Sequence, residues 1–295
     1  MTISPIALFV YNRLEHTKKT VEALEKNLLA SESELFIFSD GPKDASQREK
    51  VAELRNYLRN IKGFKKVEIV ERSENYGLAK SIISGVTEIV NRFGKVIVME
   101  DDLVSSPYFL TYMNESLEMY ENESKVISIH GYVYPVKGNL PETFFIRGAD
   151  CWGWATWKRG WDKFEKDGSK LLKELRDKNL INEFDFGGSY PFSKMLERQI
   201  EGKNNSWAIR WNASAFLADM LTLYPGTSLI DNIGQDDSGT HGKDSKLYKT
   251  KISDRKIEVD NISVEENKEA RKAFENYFNS MKPSLLKRIL IKLRG

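Results

Sequence analysis

Cysteine is almost absent from this 295-residue chain; Cys151 is its only one, so no disulfide can form within it and a reducing compartment suits it. Histidine is nearly as scarce, and His16, His130 and His241 are too few for most histidine-rich metal centres. No apolar run approaches the roughly 20 residues that span a bilayer. Met1 to Tyr11 lacks a basic segment, a long apolar stretch and a small-residue cleavage site, and reads instead as a first buried strand. The expected location is therefore cytoplasmic. A strong net charge is missing too: 45 basic and 43 acidic residues leave +2, which argues against a surface built for nucleic acid.

What is present is the composition of a globular chain, 40% hydrophobic and 11% aromatic, with no internal repeat. In the first hundred residues short apolar runs alternate with amphipathic ones, the order expected of parallel strands joined by crossover helices. Strands are expected at Ile6–Tyr11, Leu35–Ser39, Val67–Glu71 and Val96–Glu100, and crossover helices at Glu15–Leu29 and Ala45–Asn60. Leu78, Ile82, Ile83, Val86, Ile89, Val90 and Phe93 keep helical spacing, and Gly94 supplies the stop. Beyond Pro107 a helix is expected near 108–120 and a strand near 126–130. Residues 166–182 read as a lysine-rich surface excursion, and helices follow near 192–201 and 206–217. The fold expected is α/β, a doubly wound mixed sheet with flanking helices and a less regular second half. Its division is a domain over 1–245, with halves 1–103 and 104–245, followed by a helical tail over 246–295.

Glu100, Asp101 and Asp102 stand where an apolar strand emerges, the edge at which open α/β sheets bind ligands. Continued strand alternation would put Glu100 and Asp102 on one side and Asp101 on the other. Hard carboxylate oxygens suit Mg2+ or Mn2+, ions that commonly bridge diphosphate oxygens. A solvated acidic turn would need the same residues.

Four segments occur in order: Pro5 to Leu14 (PIALFVYNRL), Phe38-Ser39-Asp40-Gly41, Asn75-Tyr76-Gly77-Leu78 and Val98-Met99-Glu100-Asp101-Asp102-Leu103. Together they resemble the nucleotide-sugar glycosyltransferases of GT-A fold. The likeness is to the inverting family 2 enzymes and, in EDDL followed by Pro and aromatics, to the N-acetylglucosaminyltransferase I family. It extends over about residues 3 to 245. It implies transfer of a hexosyl or N-acetylhexosaminyl group from a nucleotide sugar, a UDP-sugar, to a glycan or lipid-linked glycan hydroxyl in surface polysaccharide or glycoconjugate assembly. It also implies that Asp102 holds the metal, that Glu100 and Asp101 lie beside the ribose and sugar hydroxyls, that Asp40 contacts the nucleobase, and that Tyr11, Asn12 and Arg13 flank it. Asn75 opens a helix whose free amides can meet phosphate, or it merely caps that helix. Arg72 and Lys80 lie near enough in sequence to reach the diphosphate.

Four of the six tryptophans fall between Cys151 and Trp161. Trp154, Trp157 and Trp161 have the i, i+3, i+7 spacing of a helix face, which also serves a core. Trp152, Trp154, Trp157 and Trp207 are the candidates for the acceptor side, because indoles present flat apolar faces to sugar rings. Arg210 is a candidate phosphate partner and His241 a second metal or diphosphate contact. In the resembling families an Asp precedes the aromatic segment that Trp207 matches, whereas this chain has Lys203-Asn204-Asn205-Ser206. Asn205 cannot accept the acceptor's proton, so Glu201, Asp236 or Asp237 is the expected base, or the chain is a noncatalytic sugar-nucleotide-binding homologue. A sugar nucleotidyltransferase is disfavoured, since Tyr11 to Leu14 replaces its glycine-rich loop. Finally, Leu285, Leu286, Ile289, Leu290 and Leu293 fall on one helical face with Lys287, Arg288, Lys292 and Arg294 largely opposite. That pattern fits a helix on an anionic membrane surface or one docked on the domain.

Overall fold

Strand and helix alternate through the first hundred residues where the hydrophobic pattern places them. The computed structural model describes residues 2–234 and 247–282. Strand β1 (Ile6–Val10) leads to helix α1 (Leu14–Glu25), β2 (Glu34–Ser39), α2 (Arg48–Leu58), β3 (Lys66–Glu71), α3 (Gly77–Phe93) and β4 (Lys95–Glu100). A short β5 (Leu103–Ser105), α4 (Phe109–Met119), β6 (Val126–His130) and β7 (Thr143–Arg147) follow, then β8 (Trp154–Trp157) and α5 (Lys158–Trp161). Helices α6 (Gly168–Asp177), α7 (Ile181–Phe184), α8 (Phe192–Ile200) and α9 (Trp207–Leu217) precede β9 (Leu221–Pro225), β10 (Ile230–Asn232) and α10 (Lys268–Met281).

Among the described residues the main sheet runs β3-β2-β1-β4-β8-β6-β9-β7. Its first four strands are parallel, so Val10, Ser39, Glu71 and Glu100 all end at one edge. Strand β8 lies antiparallel to β4 with Val98 opposite Trp154. Period-two alternation splits the core: Ile6, Leu8 and Val10 face the layer of α1, α2 and α4, whereas Ala7 and Phe9 face α3 and α9. Ile82, Val86 and Ile89 are fully buried on α3. Each such side chain contributes roughly 1.5–3 kcal/mol of hydrophobic stabilisation.

Two expectations are corrected here. Residues 166–182 are not a mere surface excursion, because α6 is an amphipathic helix that buries Leu171, Leu172 and Leu175 against α8 and α9. The tryptophan block is not one helix: Trp154 to Trp157 form β8, and only Lys158 to Trp161 are helical. A fully buried strand carries apolar residues at consecutive positions, so helical spacing arises there by accident. The expected boundary at 245/246 lies outside the described residues, as does the amphipathic segment 283–295. Residues past that boundary join the domain: Ile257 is fully buried, Tyr120 Oη donates to the Asp260 carbonyl (3.0 Å), and Ala270, Phe274 and Phe278 of α10 enter an aromatic core with Phe144 and Tyr224. Among the described residues no helix is long and apolar enough to cross a membrane.

Candidate active site

The loops that leave the parallel strands at their common edge are tied to one another. Lys43 N–H donates to Tyr11 Oη (3.0 Å) and Asn12 Nδ2 donates to Gln47 Oε1 (2.6 Å), joining the loop after β1 to the loop after β2. Asn75 Nδ2 donates to the Gly41 carbonyl (2.8 Å), which brings in the loop before α3. Asn75 is therefore not the cap of α3. Asp40 performs that role from another strand: its Oδ1 accepts from Tyr76 N–H and its Oδ2 from Gly77 N–H, both at 2.8 Å. A buried carboxylate at a helix N-terminus satisfies orphan amides and complements the helix dipole. Gly77, at φ +71°, makes the bend that aims both amides at Asp40. Arg72 lies 4.3 Å from the Tyr76 ring and donates to Ser81 and Ser84, and Lys80 lies 3.8 Å over the same ring.

Strand β4 ends at Glu100 and the chain turns through Asp101 and Asp102, so strand alternation does not extend to the last two acids. Arg13 Nη1 sits 2.8 Å from Asp102 Oδ2 and 4.0 Å from Asp101 Oδ1. Instead of flanking a base alone, Arg13 partly neutralises the triplet. Burial, together with the charges of Asp102 and Asp101, raises the Glu100 carboxyl well above its ordinary range. Asp101 is pushed up to about 7, by burial first and the Asp102 charge second, with Arg13 opposing. Three carboxyls thus crowd against Arg13, and burial with mutual repulsion works against Glu100 and Asp101 ionising together. Strand β10 pairs with β5, Ile233 N–H donates to the Asp102 carbonyl (2.9 Å), and Gly234 packs so closely that a Cβ there would lie 1.9 Å from Asp102 Oδ2.

Hard carboxylate oxygens crowded at a partly buried edge fit Mg2+ or Mn2+, whose charge would favour their ionised form. Among the described residues no three His, Cys, Asp or Glu side chains converge as a complete cage. One or two carboxylates with the remaining positions left to phosphate and water is the arrangement Mg2+ commonly takes. His241, Asp236 and Asp237 lie outside the described residues.

Trp154, Trp157 and Trp207 are core residues, between 0% and 4% exposed, so in this conformation none faces a site. Trp154 packs against Trp161, Trp207 and Trp211 at centroid distances of 5.5 to 5.8 Å, and Trp157 Nε1 donates to the Leu117 carbonyl. Trp152 differs. It is half-buried, 4.8 Å from Tyr132 and 5.5 Å from Tyr248, on the loop that enters β8 beside the end of β4.

Glu201 follows α8, exposed and paired with Lys203 at 2.8 Å, so among the described residues its charge is already matched. Asn205 and Arg210 line a groove of about 700 Å³ between α3 and the start of α9, with Lys80, Ser84, Thr87 and Lys166. Arg210 donates to the Ser206 and Lys166 carbonyls (3.2 and 3.0 Å) and has no acidic partner among the described residues.

A carboxylate absent from the sequence-based candidates also reaches this edge. Asp150 accepts from Tyr134 Oη (2.9 Å), from Tyr224 Oη (3.5 Å) and, through Oδ1, from Cys151 N–H (2.8 Å). Its only sequence signal is its place two residues before Trp152.

The family model for glycosyl transferase family 2 matches residues 6–175, which hold the four parallel strands, the acid triplet and β8. No curated protein matches the chain. Among solved structures, it is similar to a mannosyltransferase from Pyrobaculum calidifontis in complex with GDP-Man and Mn2+, at 12% identity and a TM-score of 0.31 over 44% of this chain and 35% of that one. It is also similar to S. aureus TarS, at 14% identity and a TM-score of 0.32 over 49% of this chain and 24% of that one. The matched region thus spans about a third of the first protein and a quarter of the second. With the family match covering more than half of its length, including the acids at the strand edge, the chain belongs to glycosyl transferase family 2.

Proposed function

We propose that this family 2 glycosyltransferase is metal-dependent and inverting, moving a sugar from a nucleotide diphosphate to a glycan hydroxyl. The observation that carries the reading is the cluster of three acids at the common strand edge, met by Arg13, beside amide-bearing loops tied together by Asp40 and Asn75. Asp102 would hold Mn2+ or Mg2+, with Asp101 beside it. Such an ion, when bound, supplies charge neutralisation for the diphosphate leaving group. Arg13 holds Asp102 in place and adds positive charge at the same point. The loops of Tyr11 to Arg13 and Asp40 to Gly41 would receive the nucleoside, Glu100 the ribose or sugar hydroxyls, and half-buried Trp152 the acceptor ring. A UDP-sugar is the donor favoured by the family resemblance, and GDP-Man is the alternative suggested by a structural neighbour. A glycan or lipid-linked glycan of surface polysaccharide assembly is the acceptor class.

The test is release of nucleoside diphosphate from a panel of UDP-, GDP- and dTDP-sugars, with and without Mn2+. Metal-dependent turnover of one donor is expected, and Asp102→Ala should lose Mn2+-dependent nucleoside diphosphate binding by at least tenfold with an unchanged thermal unfolding profile. Full activity of that variant would remove the metal role. Asn205 favours a second reading, a binding protein without turnover. Tight nucleotide-sugar binding with no release across the panel would establish that reading instead.

A further inference from the structure

The proposed transfer requires a base, and none of the carboxylates nominated from sequence is seen in a position to serve. Glu201 is exposed and ion-paired, while Asp236 and Asp237 lie outside the described residues. At the strand edge itself, Asp40 is committed to the amides of α3 and Asp102 is paired with Arg13.

Asp150 is differently placed. Val98 of β4 stands opposite Trp154 of β8, and the two strands run antiparallel, so stepping up β4 to Glu100 is stepping back along β8 toward Trp152 and Asp150. The register therefore delivers the 150–152 loop to the level of the acid triplet. Burial raises the Cys151 thiol well above its ordinary range, and the charges of Asp150, Glu100 and Asp102 add to that rise, in keeping with this proximity. Asp150 is half-buried and has no cationic partner among the described residues. Two phenols and one backbone amide fix its plane. Ala149 N–H donates to Asn212 Oδ1 (3.1 Å), anchoring the loop to α9, the helix that follows Asn205.

We propose that Asp150 is the catalytic base of the transfer, a role that rests on the glycosyltransferase reading above. The acceptor hydroxyl gives its proton to an Asp150 carboxylate oxygen while its oxygen bonds to C1 of the donor from the face opposite the phosphate. The C1–O bond to phosphate breaks, its electron pair leaves on the nucleoside diphosphate, and Asp150 later returns the proton to water. Neighbouring Trp152 and Tyr134 supply the half-buried aromatic walls against which a sugar ring can lie. The titratable groups around the carboxylate are Tyr132, Tyr134, Tyr190, Tyr224, His130 and Cys151. None is a cation in the neutral range, so among the described residues no fixed positive charge competes with proton transfer.

The experiment compares wild type with Asp150→Asn, Asp150→Glu and Asp231→Asn, the last a half-buried carboxylate of β10 whose charge also reaches Tyr132, using water as acceptor and the donor that wild type turns over with Mn2+. Asparagine is isosteric and can still meet Tyr134 and Cys151 N–H, so the fold should hold. General-base catalysis is worth roughly 100- to 10,000-fold. Asp150→Asn should lose kcat by that factor and bind UDP or GDP with Mn2+ as wild type does. Asp150→Glu should recover at least tenfold over the asparagine variant. A kcat within threefold of wild type in Asp150→Asn, or a loss found in Asp231→Asn instead, overturns the assignment and leaves the transferase reading standing. Absence of turnover in wild type overturns both.

Discussion

Replacing Asp40 with alanine removes one buried carboxylate and strands the first amides of α3. Asp40 is 5% exposed and accepts from Gly41, Tyr76 and Gly77 N–H at 2.8 to 3.0 Å. Gly41 N–H retains the Glu74 carbonyl at 3.2 Å, so two amides lose their acceptor. A hydrogen bond to a charged group contributes about 1.5–3 kcal/mol net, and water reaching this partly buried turn recovers some of it. Loss of a helix N-cap costs about 0.5–2 kcal/mol by itself. The expected destabilisation is therefore about 2–3 kcal/mol. At about 2–4 °C per kcal/mol for a chain of this size class, the melting temperature should fall by roughly 6 °C. Thermal unfolding in the absence of nucleotide reads the global effect, and amide hydrogen exchange at Tyr76 and Gly77 reads the local one. A melting temperature within 1 °C of wild type, with unchanged exchange at both amides, would refute the capping argument. If donor affinity alone fell, Asp40 would be a ligand contact and not the structural cap of α3.

Other expectations follow from neighbouring geometry. Gly234→Ala would drive a methyl group into the Asp102 carboxylate, since its Cβ would lie 1.9 Å from Oδ2; calorimetry should show the Mn2+ requirement for nucleoside diphosphate binding rise by about tenfold or more, and an unchanged requirement would mean that Asp102 can shift freely. His130 is fully buried, its Nε2 accepts from Trp152 N–H (3.1 Å), and burial holds its imidazole below the usual 6.5, with Asp150 opposing. The unfolded chain then takes up a proton that the folded chain refuses, so stability is undiminished above pH 6.5 and is lost as the pH falls below it, by at most about 1.4 kcal/mol per pH unit. His130→Gln should flatten the fall in urea midpoint between pH 7 and 5; an equally steep fall in the variant would assign the acid sensitivity to other groups.

Much of the first hundred residues was legible because their determinants are local. Apolar runs, helical periodicity and Gly94 bound β1 to β4 and α3 within about a residue of their observed limits. Parallel strands with short crossovers leave little freedom about which ends share an edge, so the acid triplet could be assigned to that edge from residue order alone.

The remainder depended on contacts between segments far apart in the chain. Local pattern cannot distinguish a buried strand from a helix when both demand apolar residues, so Trp154 and Trp157 became sheet residues only through pairing with β4 and β6. Asp40 became the cap of a helix that begins 37 residues later, and Arg13 met Asp102 across 89 residues. Asp150 had no motif to mark it. Its place at the level of the acid triplet comes from the antiparallel register of β8, a property of strand pairing that the sequence of either strand alone does not contain. The sequence by itself determined which chemical groups are available and that four strands would carry the first of them to one edge. Only the tertiary structure decided which carboxylates are held by amides or cations and which are held by phenols, because burial and charge pairing are set by side chains that meet only when the sheet is assembled.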